Sequence, residues 1–171
     1  MERISSCLKA ACVAAALTVS VGASAATIPF NESFDGYAGA GDGASGQSDL
    51  SWAGSGAWTV ASGTADLIAS GDYDISCHNG SGKCIDLDGS TNNSGVLSAS
   101  TFSLVAGQTY LLSAWLSGNQ RSTLSTDDVR FGFRWGTFES SDTISGIASD
   151  DAFNLFTFSF VAPGNISARI F

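Results

Sequence analysis

Apolar and polar positions alternate with a period of two through segment after segment of this chain, the mark of strands that bury one face. The cleanest case is residues 84–88, where Ile85 and Leu87 point one way and Asp86 and Asp88 the other. That run closes a stretch, 58–89, in which strands are also predicted at 58–60 and 65–68 and Cys77 and Cys84 bracket a short loop. Downstream, 109–116 places Tyr110, Leu112, Ala114 and Leu116 on one face. The run 129–135 sets Val129, Phe131, Phe133 and Trp135 against Arg130 and Arg134, and 153–161 turns Phe156, Phe158 and Phe160 inward opposite Thr157 and Ser159. Residues 28–34 and 166–171 read as strands, and 96–104 as one strand with a break. Turn residues punctuate them: Asp35-Gly36, Ser90 to Gly95, Ala106-Gly107-Gln108, Gly118-Asn119-Gln120 and Pro163-Gly164-Asn165. Beyond the first 25 residues no segment carries a 3.6-residue period. Many short strands spaced by such turns predict an all-β fold, a two-sheet β-sandwich or jelly roll. The run 36–56, dense in Gly, Ser and Asp, admits no core face and reads as a long loop with a short strand near 50–53.

The N-terminus follows another pattern. Arg3 and Lys9 precede an apolar run over 10–21 and the small-residue site Ala23-Ser24-Ala25. This predicts a secretory signal peptide over 1–25, too short to span a bilayer, and a single domain over 26–171. Removing Glu2, Arg3 and Lys9 takes the net charge from −9 to −10. So acidic a surface repels phosphate, which argues against nucleic acid and anionic lipid and leaves divalent cations and neutral ligands. The cut also removes Cys7 and Cys12. Cys77 and Cys84 remain as an even pair, predicting a disulfide across the turn-forming HNGSGK in an oxidising compartment, secreted or at the cell surface. In the chain-entropy model so short a loop contributes about 2–3 kcal/mol. The alternative, a metal held by His78 and both thiolates, crowds three ligands into eight residues with no distant partner.

Four motifs carry a family resemblance: Asn31-x-Ser33-Phe34-Asp35-Gly36; Trp58-x-Val60-x-x-Gly63-x-x-Asp66-Leu67-Ile68; Ile85-Asp86-Leu87-Asp88-Gly89; and Phe102-x-Leu104-x-x-Gly107-x-x-Tyr110. From Asn31 to about Tyr110 the chain resembles the choice-of-anchor C family and its plant cell-wall relatives, exported proteins with galactose-binding-like β-sandwich domains. The resemblance implies a domain that binds extracellular or cell-surface polysaccharide. It also implies a final strand with an Asp-Asn-Val-type motif and a PEP-CTERM sorting tail, neither of which this sequence contains. The domain over 26–171 is therefore expected to lack its last C-terminal strand.

In such sandwiches a structural Ca²⁺ often sits near the first strand, which makes Asp35 a candidate ligand; an ordinary Asp-Gly turn is the competing account. Asp86 and Asp88 form a second candidate pair. The run DLDGSTNN opens like an EF-hand loop, but Thr91 and Leu97 stand where that loop needs Gly and Glu, so it is not one. Sugar binding needs aromatic rings free to stack, with polar groups around them. Trp115, Trp52, Trp58 and Tyr73 are the candidates, with Arg130 and Arg134 beside Trp115 if the strands 109–116 and 129–135 pair; core packing competes for the tryptophans. For catalysis there is little. His78 is the only histidine and there is no Gly-x-Ser-x-Gly elbow. Carboxylates abound, but most sit in turns where Asp is favoured. The expectation is a non-catalytic carbohydrate-binding module, with a structural surface or matrix protein and a glycoside-active enzyme as alternatives.

Overall fold

The computed structural model describes residues 30–37, 52–87, 94–120, 126–149 and 151–171. Within them lie ten strands: β1 (Trp58–Ser62), β2 (Asp66–Ala69), β3 (Lys83–Asp86), β4 (Val96–Ala99), β5 (Thr101–Leu104), β6 (Thr109–Leu116), β7 (Thr126–Trp135), β8 (Phe138–Ala148), β9 (Asn154–Val161) and β10 (Ile166–Ile170). All pair antiparallel. β5-β10-β7-β8 form a four-stranded sheet, and β1-β4, β2-β3 and β6-β9 form two-stranded ladders. No described helix is long and apolar enough to cross a membrane. The fold is an all-β sandwich; its strand pairing does not establish a jelly roll.

The alternation decides which faces meet. The inward side of β6 and β9 packs on the inward side of β7, where Phe133 stacks on Phe160 at 5.1 Å between ring centroids and Trp135 meets Phe160 at 5.2 Å. Leu104, Tyr110, Ala168 and Ile170 fill in around these rings, and Trp52, Trp58, Leu67 and Ala99 continue the same core toward β1 and β2. Burial of rings this large is the main stabilising term in such a sandwich.

Residues 96–104 are two strands rather than one. The break at Ser100 moves the chain between sheets, so that β4 pairs with β1 and β5 with β10. The described part of the expected first strand, 30–34, is not a strand. Phe34 has φ 63°, in the left-handed region, and Glu32 organises the segment instead. Its carboxylate accepts bonds from the Phe34 amide at 2.7 Å, the Tyr37 hydroxyl at 2.6 Å and the Trp58 indole nitrogen at 3.2 Å. The strand expected near 50–53 falls partly outside the described residues, and its described part, Trp52 and Ala53, is not extended in a ladder. β8 was not expected at all.

Candidate functional site

Three segments converge on a cleft of about 530 Å³. One is the loop from Asp74 to Gly80, which leads into the disulfide. The second is Ser117 and Gln120 just after β6, and the third is Ser149 with Asp151 to Phe153, between β8 and β9.

The first loop is tightly wound. Two single-turn 3₁₀ segments, Asp72–Asp74 and His78–Gly80, bracket Ile75 to Cys77. Gly71, Tyr73, Asp74, Asn79 and Gly80 all have positive φ, from 52° to 100°. For the non-glycine members this conformation costs about 1 kcal/mol or more each, a cost that surrounding structure must offset and that gathers at functional sites. The offsetting contacts are visible. Cys77 is bonded to Cys84 on β3, with 5.5 Å between their Cα atoms. The Cys77 amide donates to Ser70 Oγ at 3.1 Å, and the Gly80 amide to Cys77 O at 2.8 Å. The Gln120 side chain then clamps the loop as a second backbone would: its Oε1 accepts from the Ser76 amide and its Nε2 donates to Ser76 O, both at 2.8 Å.

The other two segments are drawn together by close backbone approach. Gly118 lies against the Ala148 carbonyl, where a Cβ would collide. Ser117 Oγ donates to Asp151 O at 2.9 Å, and Asp151 Oδ2 accepts from the Ala148 amide at 2.9 Å, closing the turn that carries Phe153 into place.

An aromatic wall stands on one side of the cleft. His78 stacks on Trp115, 4.1 Å between ring centroids and 24° between planes, and Phe153 meets His78 edge-on at 5.8 Å. Asn79 Nδ2, which can only donate, lies 3.2 Å from His78 Nδ1, so that nitrogen accepts. Around this wall the cleft presents the Asp74 and Asp151 carboxylates, the Asn79 and Gln120 amides and the Ser76, Ser117 and Ser149 hydroxyls, with no lysine or arginine among the described lining residues.

The residues singled out from sequence disperse. Trp115 stands outward on β6, 48% exposed, with His78 covering one face of its ring. Tyr73, 50% exposed, adjoins the lining residue Asp74. Trp52 is 3% exposed and packed with Phe34 and Tyr37, so its ring offers no surface to a ligand. Arg130 and Arg134 are not beside Trp115, because β6 pairs with β9 and not with β7. Both arginines reach Glu139 on β8, at 2.8 and 3.0 Å, and lie over the Phe171 ring. His78, Phe153, Asp74 and Gln120 form the site that sequence reading missed. They come from three separate segments of the chain, and only the turn chemistry around Asn79-Gly80 and Gly118-Asn119 marks those segments.

Calcium takes roughly six to eight oxygens. Asp35 directs Oδ1 to the Lys83 amide at 2.7 Å, Asp86 lies across the β2–β3 ladder from the buried Asp66, and Asp88 lies outside the described residues. Among the described residues no group of three or more His, Cys, Asp or Glu side chains gathers. The chain matches no protein-family model, no curated protein and no solved structure.

Proposed function

We propose that this protein is an exported, non-catalytic carbohydrate-binding module acting at the cell surface or in the extracellular matrix. The cleft carries the reading. Its volume suits a small ligand or a short stretch of polymer, and its lining joins an aromatic wall to carboxylate, amide and hydroxyl groups. That combination matches a sugar, whose ring presents C–H faces to aromatic groups and hydroxyls to polar ones. Export is supported by the leader-like N-terminus and by the Cys77–Cys84 bond, which persists in oxidising compartments. The choice-of-anchor C resemblance agrees with both.

A glycan array tests the reading. Saturable binding to a defined glycan is expected, weakened about tenfold by Phe153→Ala or Trp115→Ala as the aromatic wall is lost. Binding that survives both changes counts against this cleft.

One observation favours a second reading, a structural surface protein. Leu111 and Val161 on the outward side of β6–β9 are more than half exposed, as is Leu155, opposite Trp115. Apolar positions grouped this way suit packing against a neighbour. Under that reading the array stays blank.

A further inference from the structure

Cationic side chains are few in this chain, and three of them share one surface. The sequence has seven Lys and Arg residues and a net charge of −9, yet three arginines stand on the outer face of the four-stranded sheet. Alternation puts them there. Phe133 and Ile170 are buried in the core, so their neighbours Arg134 and Arg169 turn outward, and Arg130 lies on the same side of β7. Arg169 and Arg134 are direct partners in the β10–β7 ladder, which sets their Cα atoms about 4.5–5.5 Å apart. Like charges opposed at that distance destabilise a sheet, so the fold bears a cost that its own stability does not explain.

The three arginines are also held unequally. Arg130 Nη1 and Arg134 Nη2 reach the two oxygens of Glu139 at 2.8 and 3.0 Å, and both guanidiniums lie over the Phe171 ring, 5.4 and 4.5 Å from its centroid. Ring and carboxylate fix these two forks at the surface, where the side chains remain 51% and 36% exposed. Arg169 is exposed too, but its guanidinium has no hydrogen bond or ion pair with another described residue. Among the described residues, three guanidiniums thus share the single carboxylate of Glu139.

We propose that this face is a docking surface for a short acidic segment of a partner protein, with Arg169 and Arg134 taking an Asp or Glu carboxylate between them. The face displays the chemistry it selects: Glu139 is a side-chain carboxylate already gripped by two arginines, and the planar fork of Arg169 suits another in bidentate geometry. A sugar is disfavoured, because Phe171, the ring on this face, lies beneath the Arg130 and Arg134 guanidiniums rather than free for stacking. A long polyanion is disfavoured because beyond the patch it would run over a chain of net charge −9. Two carboxylates on alternate residues of an extended peptide span only about 7 Å, within one screening length of about 8 Å at physiological salt. None of the three arginines lines the cleft, so the surface is independent of the carbohydrate reading.

The test is NMR titration of the chain with a capped hexaglutamate peptide at low salt and about pH 7, where carboxylates are ionised. Capped hexaglutamine and galacturonic acid hexamer are the comparison probes. Saturable shifts at Arg130, Arg134 and Arg169 are expected with hexaglutamate, fading as salt is raised, and none with hexaglutamine. Arg169→Gln should weaken binding about tenfold, the loss of one charged bond. It should melt no lower than the parent, since Arg169 has no described bond to lose and faces a like charge. Glu139→Gln frees Arg130 and Arg134 and should tighten binding by up to about fivefold, the worth of an exposed ion pair.

No binding of hexaglutamate at low salt overturns the proposal. Affinity unchanged in Arg169→Gln, or shifts centred elsewhere, overturns the assignment to this face. Tighter binding of galacturonic acid hexamer at the same residues replaces the acidic peptide with an acidic sugar and overturns the partner class. A lower melting midpoint in Arg169→Gln shows that the arginine serves the fold and counts against a docking role.

Discussion

Glu32 shows how much a single side chain can organise. Its carboxylate collects an amide, a phenol and an indole, and so ties the segment at 30–37 to β1. Lys83 completes the attachment to β3, its ammonium donating to Tyr37 O at 2.6 Å. Glu32→Gln replaces one acceptor oxygen with a donor and should cost about 1–3 kcal/mol, a fall of several degrees in the thermal midpoint. Tyr37 makes the same contact readable by pH. Burial first, and then the bond and charge of Glu32, raise its pKa above the ordinary 10.0. The neutral phenol is therefore favoured in the folded chain, so its contribution is complete below pH 10.0 and is lost as pH rises through the elevated folded value. Melts taken upward from neutral pH should show that alkaline decline, and Tyr37→Phe should flatten it. An undiminished decline in the variant would contradict the account. None of this was legible in the sequence, where Asn31-Glu32-Ser33 looked like strand material. A capping carboxylate has no periodicity, and its three partners come together only in the fold.

At the scale of elements, legibility tracks the strength of alternation. β6 runs over the residues its pattern predicts, and β7, β9 and β10 differ only at their ends, because each buries a row of Phe, Leu, Ile or Trp against another layer. β8 escaped notice because it is the edge of the four-stranded sheet, and Phe138–Ala148 has so much polar surface that no apolar period emerges. A signal was present nonetheless. Trp135 pairs directly with Phe138 across the two-residue loop Gly136-Thr137, with Gly136 at φ 54°, and a glycine leading a two-residue loop is a hairpin mark. A break within 96–104 was read, but neither its place at Ser100 nor its consequence, since a one-residue interruption does not say that the next strand joins another sheet. The pairing of Cys77 with Cys84 followed from number and spacing, and its consequence for the cleft follows from the structure. The bond anchors to β3 a loop that holds three residues of the cleft, Asp74, Asn79 and Gly80, at positive φ. A Cys77→Ser/Cys84→Ser variant should lose about 2–3 kcal/mol of stability. It should also bind sugar more weakly than that loss explains at temperatures where it stays folded, because His78 no longer has a fixed place on Trp115.

Over the whole molecule, the sandwich serves to bring three loops to one place. The ends of β6, β8 and β9 deliver two of them, the disulfide fastens the third, and the result is an acidic cleft with an aromatic wall on an acidic chain. Composition and alternation sufficed for the fold class, since both are local properties. The site was beyond them, because His78, Gln120 and Phe153 gain meaning only from one another. Trp115 shows the boundary well: its outward position was readable from the face it occupies on β6, but its partnership with His78 rather than with Arg130 and Arg134 depended on which strand lay beside it. The most direct measurement of the central claim is a residue-resolved NMR titration with the tightest-binding glycan. Saturable shifts confined to residues 73–80, 117–120, 149 and 151–153, together with the Trp115 indole, are the predicted result. Shifts centred on the Leu111–Val161 face or around Arg130 and Arg134, or none at saturating sugar, would contradict it.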